Sequence, residues 1–304
     1  MSVIVLCGAT ATGKSNLAIA VAQRLNGEIV NADSMQIYRG MDIGTAKLSI
    51  DERQGIRHHL LDVLDINQDA TVAWYQGLAR AAIADIESRG KCAIVVGGTG
   101  LYIKSILDEL NFPDTDPVIR QNLEKELQDF GKDILFARLE KLDPAAALAI
   151  DRENARRVIR ALEVIEITGQ PFTANLPREA STRYPDAQQF GLVMDREKLS
   201  GRIHERVDRM WEQGFVDEVD RLLEKGITGS RTAQRALGYS QIIAYRQGLM
   251  SEQEAREDTK RATRQYARRQ EVWFSRDQRI TWISPIQPRF EVLLAHLERV
   301  KFGQ

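Results

Sequence analysis

The sequence predicts an α/β fold: a parallel sheet with helices on both faces, interrupted by a helical insertion. Three observations carry that prediction. Short apolar runs stop at glycine or a polar turn and are followed by helical periodicity. The pattern turns wholly helical after residue 117. Strand texture then returns near residue 189.

The elements follow in order. "SVIVLCG" is a β-branched run ending in glycine, as a buried parallel strand does. "KSNLAIAVAQRLN" places Leu17, Ala18, Val21, Ala22 and Leu25 on one helical face and closes at Asn26-Gly27. "EIVNADS" is a second strand that ends in a polar turn, and "TVAWYQGLARAAIADIESRG" is a long helix. "CAIVVGGTG" is a third strand running into glycines and then into the helix "LYIKSILDEL". The proline- and acid-rich "NFPDTDP" marks a boundary. Four helical segments follow, "VIRQNLEKELQDFG", "KDILFARLEKLD", "PAAALAID" and "NARRVIRALEVIEITG", and the loop "PFTANLPREASTRYPD" closes them. "QFGLVMD" resumes the sheet. Helices at "REKLSGRIHERVDRMWEQG", "VDEVDRLLEKG" and "SEQEAREDTKRATRQYARRQEVWFSR" lead to a last strand, "RITWI". The expected division is a core at 1–114 and 188–304 around an insertion at 115–187.

Bulk properties narrow the class. The chain has 304 residues, 43% hydrophobic and 28% charged, with a net charge of −1, as in a soluble globular protein with no global basic field. Nucleic-acid binding would need local clusters. Cys7 and Cys92, the two cysteines, each adjoin a short apolar run, which suits buried thiols in a reducing compartment. The run "VIVLC" is too short for a secretory signal and lacks a basic segment before it. No stretch approaches the ~20 apolar residues of a membrane helix. A cytoplasmic enzyme, monomeric and without membrane contact, is the expectation.

The chemistry concentrates in "CGATATGKSN". Gly8, Gly13, Lys14 and Ser15 keep the spacing G-x-x-x-x-G-K-S between a strand and a helix. In that setting the backbone N–H groups of Gly8, Ala9, Thr10, Ala11, Thr12 and Gly13 wrap an anion, Lys14 adds a point charge and the Ser15 hydroxyl can ligate Mg²⁺. The strand-end aspartate typical of nucleotide-hydrolysing relatives is missing. "CAIVVGGTG" instead ends in a second glycine turn, Gly97 to Gly100, and two such turns suit a diphosphate.

"NADSMQIYRGMDIGTAK", with "GATATGKS", "HHLLD", "VVGGTGLYIKSIL", "RRVIRALEV" and "TAQRALGYSQI", closely resembles the tRNA dimethylallyltransferases. The motifs run in family order from residue 8 to about 275. The resemblance implies a P-loop, nucleotide-kinase-like core with a helical insertion. It also implies transfer of a dimethylallyl group from dimethylallyl diphosphate to N6 of the adenosine 3′ of the anticodon, in tRNAs reading codons that begin with U. The cradle then holds the donor's diphosphate, with Mg²⁺ at Ser15. Asp33 matches the family's catalytic aspartate, and Thr99 its phosphate-side threonine, which also lies near the tRNA. Arg120 matches an arginine that meets the tRNA near the donor site. Ser34, Met35 and Gln36 of "DSMQIY", and Arg235, Gly238 and Tyr239 of "TAQRALGYSQ", are implied tRNA contacts.

Two basic clusters support an RNA surface. "RENARRVIR" carries Arg156, Arg157 and Arg160 where the family usually has Gln-Arg-x-x-Arg, so the glutamine's hydrogen bonds are replaced by a charge. Lys260, Arg264 and Arg268 recur every four residues, with Tyr266 and Trp273 available to stack. The pair His58-His59 is expected to be structural. Rival readings are a small-molecule kinase on the same fold, which needs no arginine-bearing insertion; an adenylate isopentenyltransferase, which needs no anticodon-loop surface; and a non-enzymatic RNA-binding module, which needs no Lys14-Ser15.

Overall fold

The structure is a computed structural model and describes residues 3–110, 112–175 and 181–302. Residues 176–180, in the loop expected to close the insertion, lie outside the described residues. The chain forms two compact units. One takes in the chain up to Leu107 and from Tyr184 onward; the other is Asp108–Arg183, against the 115–187 expected from composition.

The first unit is built on β1 (Ile4–Gly8), α1 (Lys14–Leu25), β2 (Gly27–Asn31), β3 (His58–His59), α2 (Val72–Ser88), β4 (Cys92–Val96) and α3 (Gly100–Leu107). The second unit holds α4 (Pro117–Phe130), α5 (Lys132–Leu142), α6 (Pro144–Ala149) and α7 (Ala155–Thr168). The first unit resumes with β5 (Gln188–Leu192), α8 (Arg196–Glu212), α9 (Phe215–Glu224), α10 (Tyr239–Arg246), α11 (Glu252–Phe274), β6 (Ile280–Ile283) and α12 (Arg289–Phe302).

The six strands are all parallel, in the order β3-β2-β4-β1-β5-β6. Strands buried on both faces alternate between two apolar layers. Val3, Val5, Cys7, Val30, Ala32 and Val95 pack against Tyr75, Ile83 and Ile86 of α2 and Ile103 and Ile106 of α3. Ile4, Leu6, Ile29, Ile94 and Val96 face Leu17, Val21 and Ala22 of α1 and Leu293 of α12. Both cysteines are buried free thiols.

β3 is too short for any alternation to announce it. It pairs with β2 through Ile29 and Val30, and His59 Nε2 sits 2.7 Å from Oε2 of buried Glu28. Arg89 and Lys91 also grip that carboxylate and hold its pKa well below the usual range. α3 ends at Leu107, three residues before the sequence pattern suggested, because Asp108 turns into an antiparallel bridge with Thr182. α10 and α12 carry no distinctive pattern and were not anticipated.

The helical unit has its own core of Leu123, Leu135, Leu139, Val158, Ile159 and Leu162. Three of its helix starts, α4, α6 and α7, carry side-chain caps; at α4, Asp116 Oδ1 accepts from Val118 N (2.8 Å) and Ile119 N (3.1 Å), with Pro117 in the first turn. No helix among the described residues is long and apolar enough to cross a membrane.

Candidate functional site

The strand order decides where chemistry can occur. β2, β4 and β1 are neighbours, spaced by about 4.8 Å. Their carboxyl ends carry Asp33, the Gly97–Gly100 turn and the cradle. These are far apart in the chain, from Gly8 to Gly100, yet they meet at one sheet edge, where open parallel sheets bind ligands.

The cradle is braced from all sides. Gly8 takes φ +128°, and a Cβ there would lie 2.8 Å from Leu192 O, so no larger residue fits. Lys14 opens α1 and its Nζ donates to Gly8 O (3.0 Å) and Ala9 O (2.6 Å). Desolvation, with Arg206 adding to it and Asp33 opposing, pushes the Lys14 pKa down to about 8. The Thr12 hydroxyl turns inward to Ala9 O at 2.8 Å, so this buried side chain is a brace of the loop. Arg289 of α12 donates to Thr12 O and Val193 O, both at 2.6 Å. Ser15 stands half-buried in the first turn of α1.

Thr10 departs from expectation. Its N–H is taken by Gln270 Oε1 at 2.8 Å, so it is not among the donors free for an anion. Its hydroxyl accepts from Arg206 Nη1 at 3.3 Å. Arg206, on α8, thus brings a second cation to the cradle. Burial lowers its pKa, with Asp33 opposing, yet the intrinsically high basicity of a guanidinium keeps it charged.

Asp33 is held by its neighbours. Its N–H donates to Asn31 Oδ1 (3.1 Å), while Asn31 Nδ2 donates to Asp33 O and to Leu60 O, each at 3.1 Å. Tyr75 OH donates to Asn31 O at 2.8 Å. The Asp33 carboxylate accepts one turn bond, from Met35 N at 2.8 Å. Thr99 Oγ1 accepts from Ser34 N (3.1 Å) and Thr99 N donates to Ala32 O (3.2 Å), which ties the second glycine turn to the Asp33 loop. Gly97 allows this approach, since a Cβ would sit 2.1 Å from Ala32 O. Met35 is half-buried, and Gln36 Nε2 donates to Thr45 O at 3.0 Å.

The loop after Asp33 is moored by Glu218. This buried carboxylate accepts from Asp42 N (3.1 Å), Ile43 N (2.8 Å), Gly44 N (3.3 Å) and Tyr239 OH (2.6 Å). Two expected tRNA contacts are corrected here. Tyr239 is wholly buried and serves this anchor. Gly238, also buried, has Phe215 packed where a side chain would start. Arg235 is exposed.

In the helical unit the expected arginines divide. Glu163 is fully buried and pairs with Arg120, which donates to it through Nε (3.2 Å) and Nη2, and with Arg160 Nη1 (2.7 Å). Arg160 also donates to Pro113 O (2.6 Å) and Asp114 O (3.2 Å). Both therefore serve as struts of their own unit while keeping part of their side-chain surface in water. Arg156 and Arg157 are exposed and have no ion pair among the described residues.

The stripe on α11 is also uneven. Lys260 is buried between Asp208 (2.7 Å) and Glu257 (2.9 Å), and Arg264 donates to His204 Nε2. Arg268 is exposed and lines a groove of about 380 Å³ with Arg269, Arg276 and Trp273. The Trp273 ring lies over Gly100. The Tyr266 hydroxyl lies beside Thr99 and Gln270, and burial pushes its pKa up to about 12. Arg206, Gln270, Asn31, Glu218 and Glu163 were missed because each sits in an ordinary amphipathic or strand segment. Their partners lie 2 to 260 residues away, and no local spacing distinguishes them.

Comparison with known proteins identifies the family and the fold. The family described as IPP transferase matches residues 36–277. A tRNA dimethylallyltransferase of Thermobifida fusca is 55% identical over 287 residues, covering 93% of this chain and 89% of the relative. That of Streptomyces coelicolor is 55% identical over 282 residues, covering 93% and 90%. A solved tRNA isopentenylpyrophosphate transferase of Bacillus halodurans aligns with a TM-score of 0.73 at 37% identity, covering 99% of this chain and 97% of that one. A eukaryotic dimethylallyltransferase, solved acting on tRNA, aligns at 0.80 and 29% identity, covering 93% and 73%. The chain belongs to the IPP transferase family of tRNA dimethylallyltransferases.

Proposed function

We propose that the chain transfers a dimethylallyl group from dimethylallyl diphosphate to N6 of the adenosine 3′ of the anticodon in tRNAs reading U-initial codons. One observation carries the reading. The sheet order sets an aspartate, Asp33, beside two glycine turns and two cations, Lys14 and Arg206.

The cradle would take the diphosphate. In the transfer the donor's C1–O bond breaks, a C1–N6 bond forms, diphosphate leaves and N6 loses a proton. Charge develops on the leaving oxygens, where Lys14, Arg206 and the loop N–H groups act most strongly. Asp33 accepts the N6 proton, which makes a delocalised and weakly nucleophilic amine competent. Thr99, tied to the Asp33 loop, sits between the phosphate side and the acceptor side.

Mg²⁺ fits the donor set. Among the described residues no group of three or more His, Cys, Asp and Glu could hold a metal, which suits an ion sharing its shell with phosphates and water at the Ser15 hydroxyl. When bound, Mg²⁺ supplies further charge to the leaving diphosphate.

For the acceptor, we assign anticodon-loop contacts to the helical region 115–187 through Arg156 and Arg157, and to Ser34, Met35, Gln36 and Arg235 of the core. We place the enzyme in the cytoplasm as a monomer. The test is incubation with radiolabelled dimethylallyl diphosphate and either tRNA or AMP. Label in tRNA alone supports the reading. Label in AMP would indicate a free-nucleotide acceptor, and ATP turnover without prenyl transfer would indicate a kinase.

A further inference from the structure

Gln270 occupies an unusual position. It is 5% exposed and reaches both anion-facing turns at once. Its Oε1 accepts from Thr10 N at 2.8 Å, and its Nε2 donates to Gly98 O at 2.8 Å. A side chain with one acceptor and one donor at opposite corners of a planar amide suits those two backbone groups. The approach is close: a Cβ on Gly98 would lie 2.1 Å from Gln270 Nε2. The same helix sets the Tyr266 hydroxyl beside Thr99 and the Trp273 ring over Gly100, so α11 meets the second turn at three successive residues.

We infer that Gln270 is a positioning residue for the prenyl donor, fixing the separation of the two glycine turns and hence the span available to a diphosphate. It touches neither reacting atom. By holding the Thr10 N–H and the Gly98 carbonyl it leaves the other loop N–H groups aimed at the anion, and it keeps the Gly98 carbonyl, which would repel phosphate, turned away. This inference rests on the donor reading above.

The test separates the two. Steady-state kinetics with dimethylallyl diphosphate and tRNA are run on the full chain as wild type, Gln270→Met and Gln270→Glu, with tRNA binding and thermal unfolding measured in parallel. Gln270→Met keeps the volume and loses both hydrogen bonds. It should raise the donor KM by roughly ten- to hundredfold while tRNA affinity stays near wild type. Gln270→Glu, when ionised, can accept from Thr10 but cannot donate to Gly98, and it adds a negative charge beside the donor. When protonated it can do both. Its donor KM relative to wild type should therefore recover between pH 8 and pH 6. Taking the ratio removes the titration of the donor itself, which both enzymes share. A carboxylate at 270 raises the Lys14 pKa above about 8, so Lys14 is no less charged in the variant than in wild type and cannot produce a recovery on the acid side. The other charges facing this point, Arg206 from α8 and Asp33 after β2, are also common to both. Should Gln270→Met fail to fold, the pH dependence of Gln270→Glu decides. An unchanged donor KM in Gln270→Met, a Gln270→Glu defect that does not vary with pH, or an equal loss of tRNA affinity would each overturn the inference. A wild-type enzyme that does not use the donor would overturn the donor reading itself, and this inference with it.

Discussion

Replacing Asp33 by Asn separates proton removal from everything else the residue does. The Asn side chain keeps an Oδ1 that can accept from Met35 N, now 2.8 Å away, so the turn survives. The Asn31 and Thr99 bonds that hold the loop involve backbone groups or Ser34 and are untouched. What disappears is a base and a negative charge. General-base removal lowers turnover by roughly 10²–10⁴-fold, or about 3–5 kcal/mol of barrier. The lost charge has a second effect. Asp33 raises the pKa of Lys14 and of Arg206, so in Asp33→Asn the Lys14 pKa falls further below about 8, while an anionic donor meets less repulsion. At pH 7 donor affinity should be equal to or tighter than wild type, and its alkaline decline should begin at lower pH. The assay is single-turnover transfer to tRNA at saturating donor, with donor binding measured separately from pH 6.5 to 9. A variant with a near wild-type single-turnover rate would refute Asp33 as the base. Weakened donor binding at pH 7 would refute the electrostatic account.

Donor affinity in the wild type should fall as pH rises through about 8, by at most about tenfold per unit, because the diphosphate prefers charged Lys14 and must reprotonate it above that pH; equilibrium binding from pH 7.5 to 9.5 tests this, and Lys14→Met should flatten the slope. Tyr239→Phe removes the 2.6 Å bond to Glu218 and should cost about 1.5–3 kcal/mol in urea unfolding, whereas loss of tRNA affinity without loss of stability would restore Tyr239 as a contact. Arg156→Ala with Arg157→Ala should lower the log–log salt slope of tRNA binding by up to about two and leave unfolding unchanged. Glu163→Ala should instead destabilise the helical unit by about 3 kcal/mol, the low end for a buried pair because both arginines keep over a quarter of their side-chain surface in water. Hydrogen exchange of α7 amides in the full chain reads this, and unaltered protection would exclude the strut role.

The sequence by itself determined most of the local elements, though not β3, α10 or α12, and the phosphate-binding character of the cradle. Strand, glycine turn and helix follow one another without interruption from Ile4 of β1 to Leu25 of α1, so the phosphate loop is legible from spacing alone. The helical unit was legible as four helical segments in a row, while its caps at Asp116, Asp143 and Asn154 were seen only in the structure. The roles implied for Asp33 and Thr99 came from resemblance, since a lone aspartate after a strand carries no local signature. Tertiary structure alone decided which charges are free. Arg160 and Lys260 look like members of basic stripes and Arg120 like a lone helix-surface arginine, until Glu163 of α7 draws Arg120 of α4 and its own neighbour Arg160 together and Asp208 of α8 pairs with Lys260. Tyr239 looks like part of an exposed turn until Glu218 and Phe215 enclose it. Strand order is the deepest such decision. It places β4 between β1 and β2, so that a turn from residue 97, a loop from residue 33 and a helix from residue 270 reach one cradle. Burial and pairing depend on neighbours distant in sequence, and a chain of residue types carries no record of them until the sheet closes.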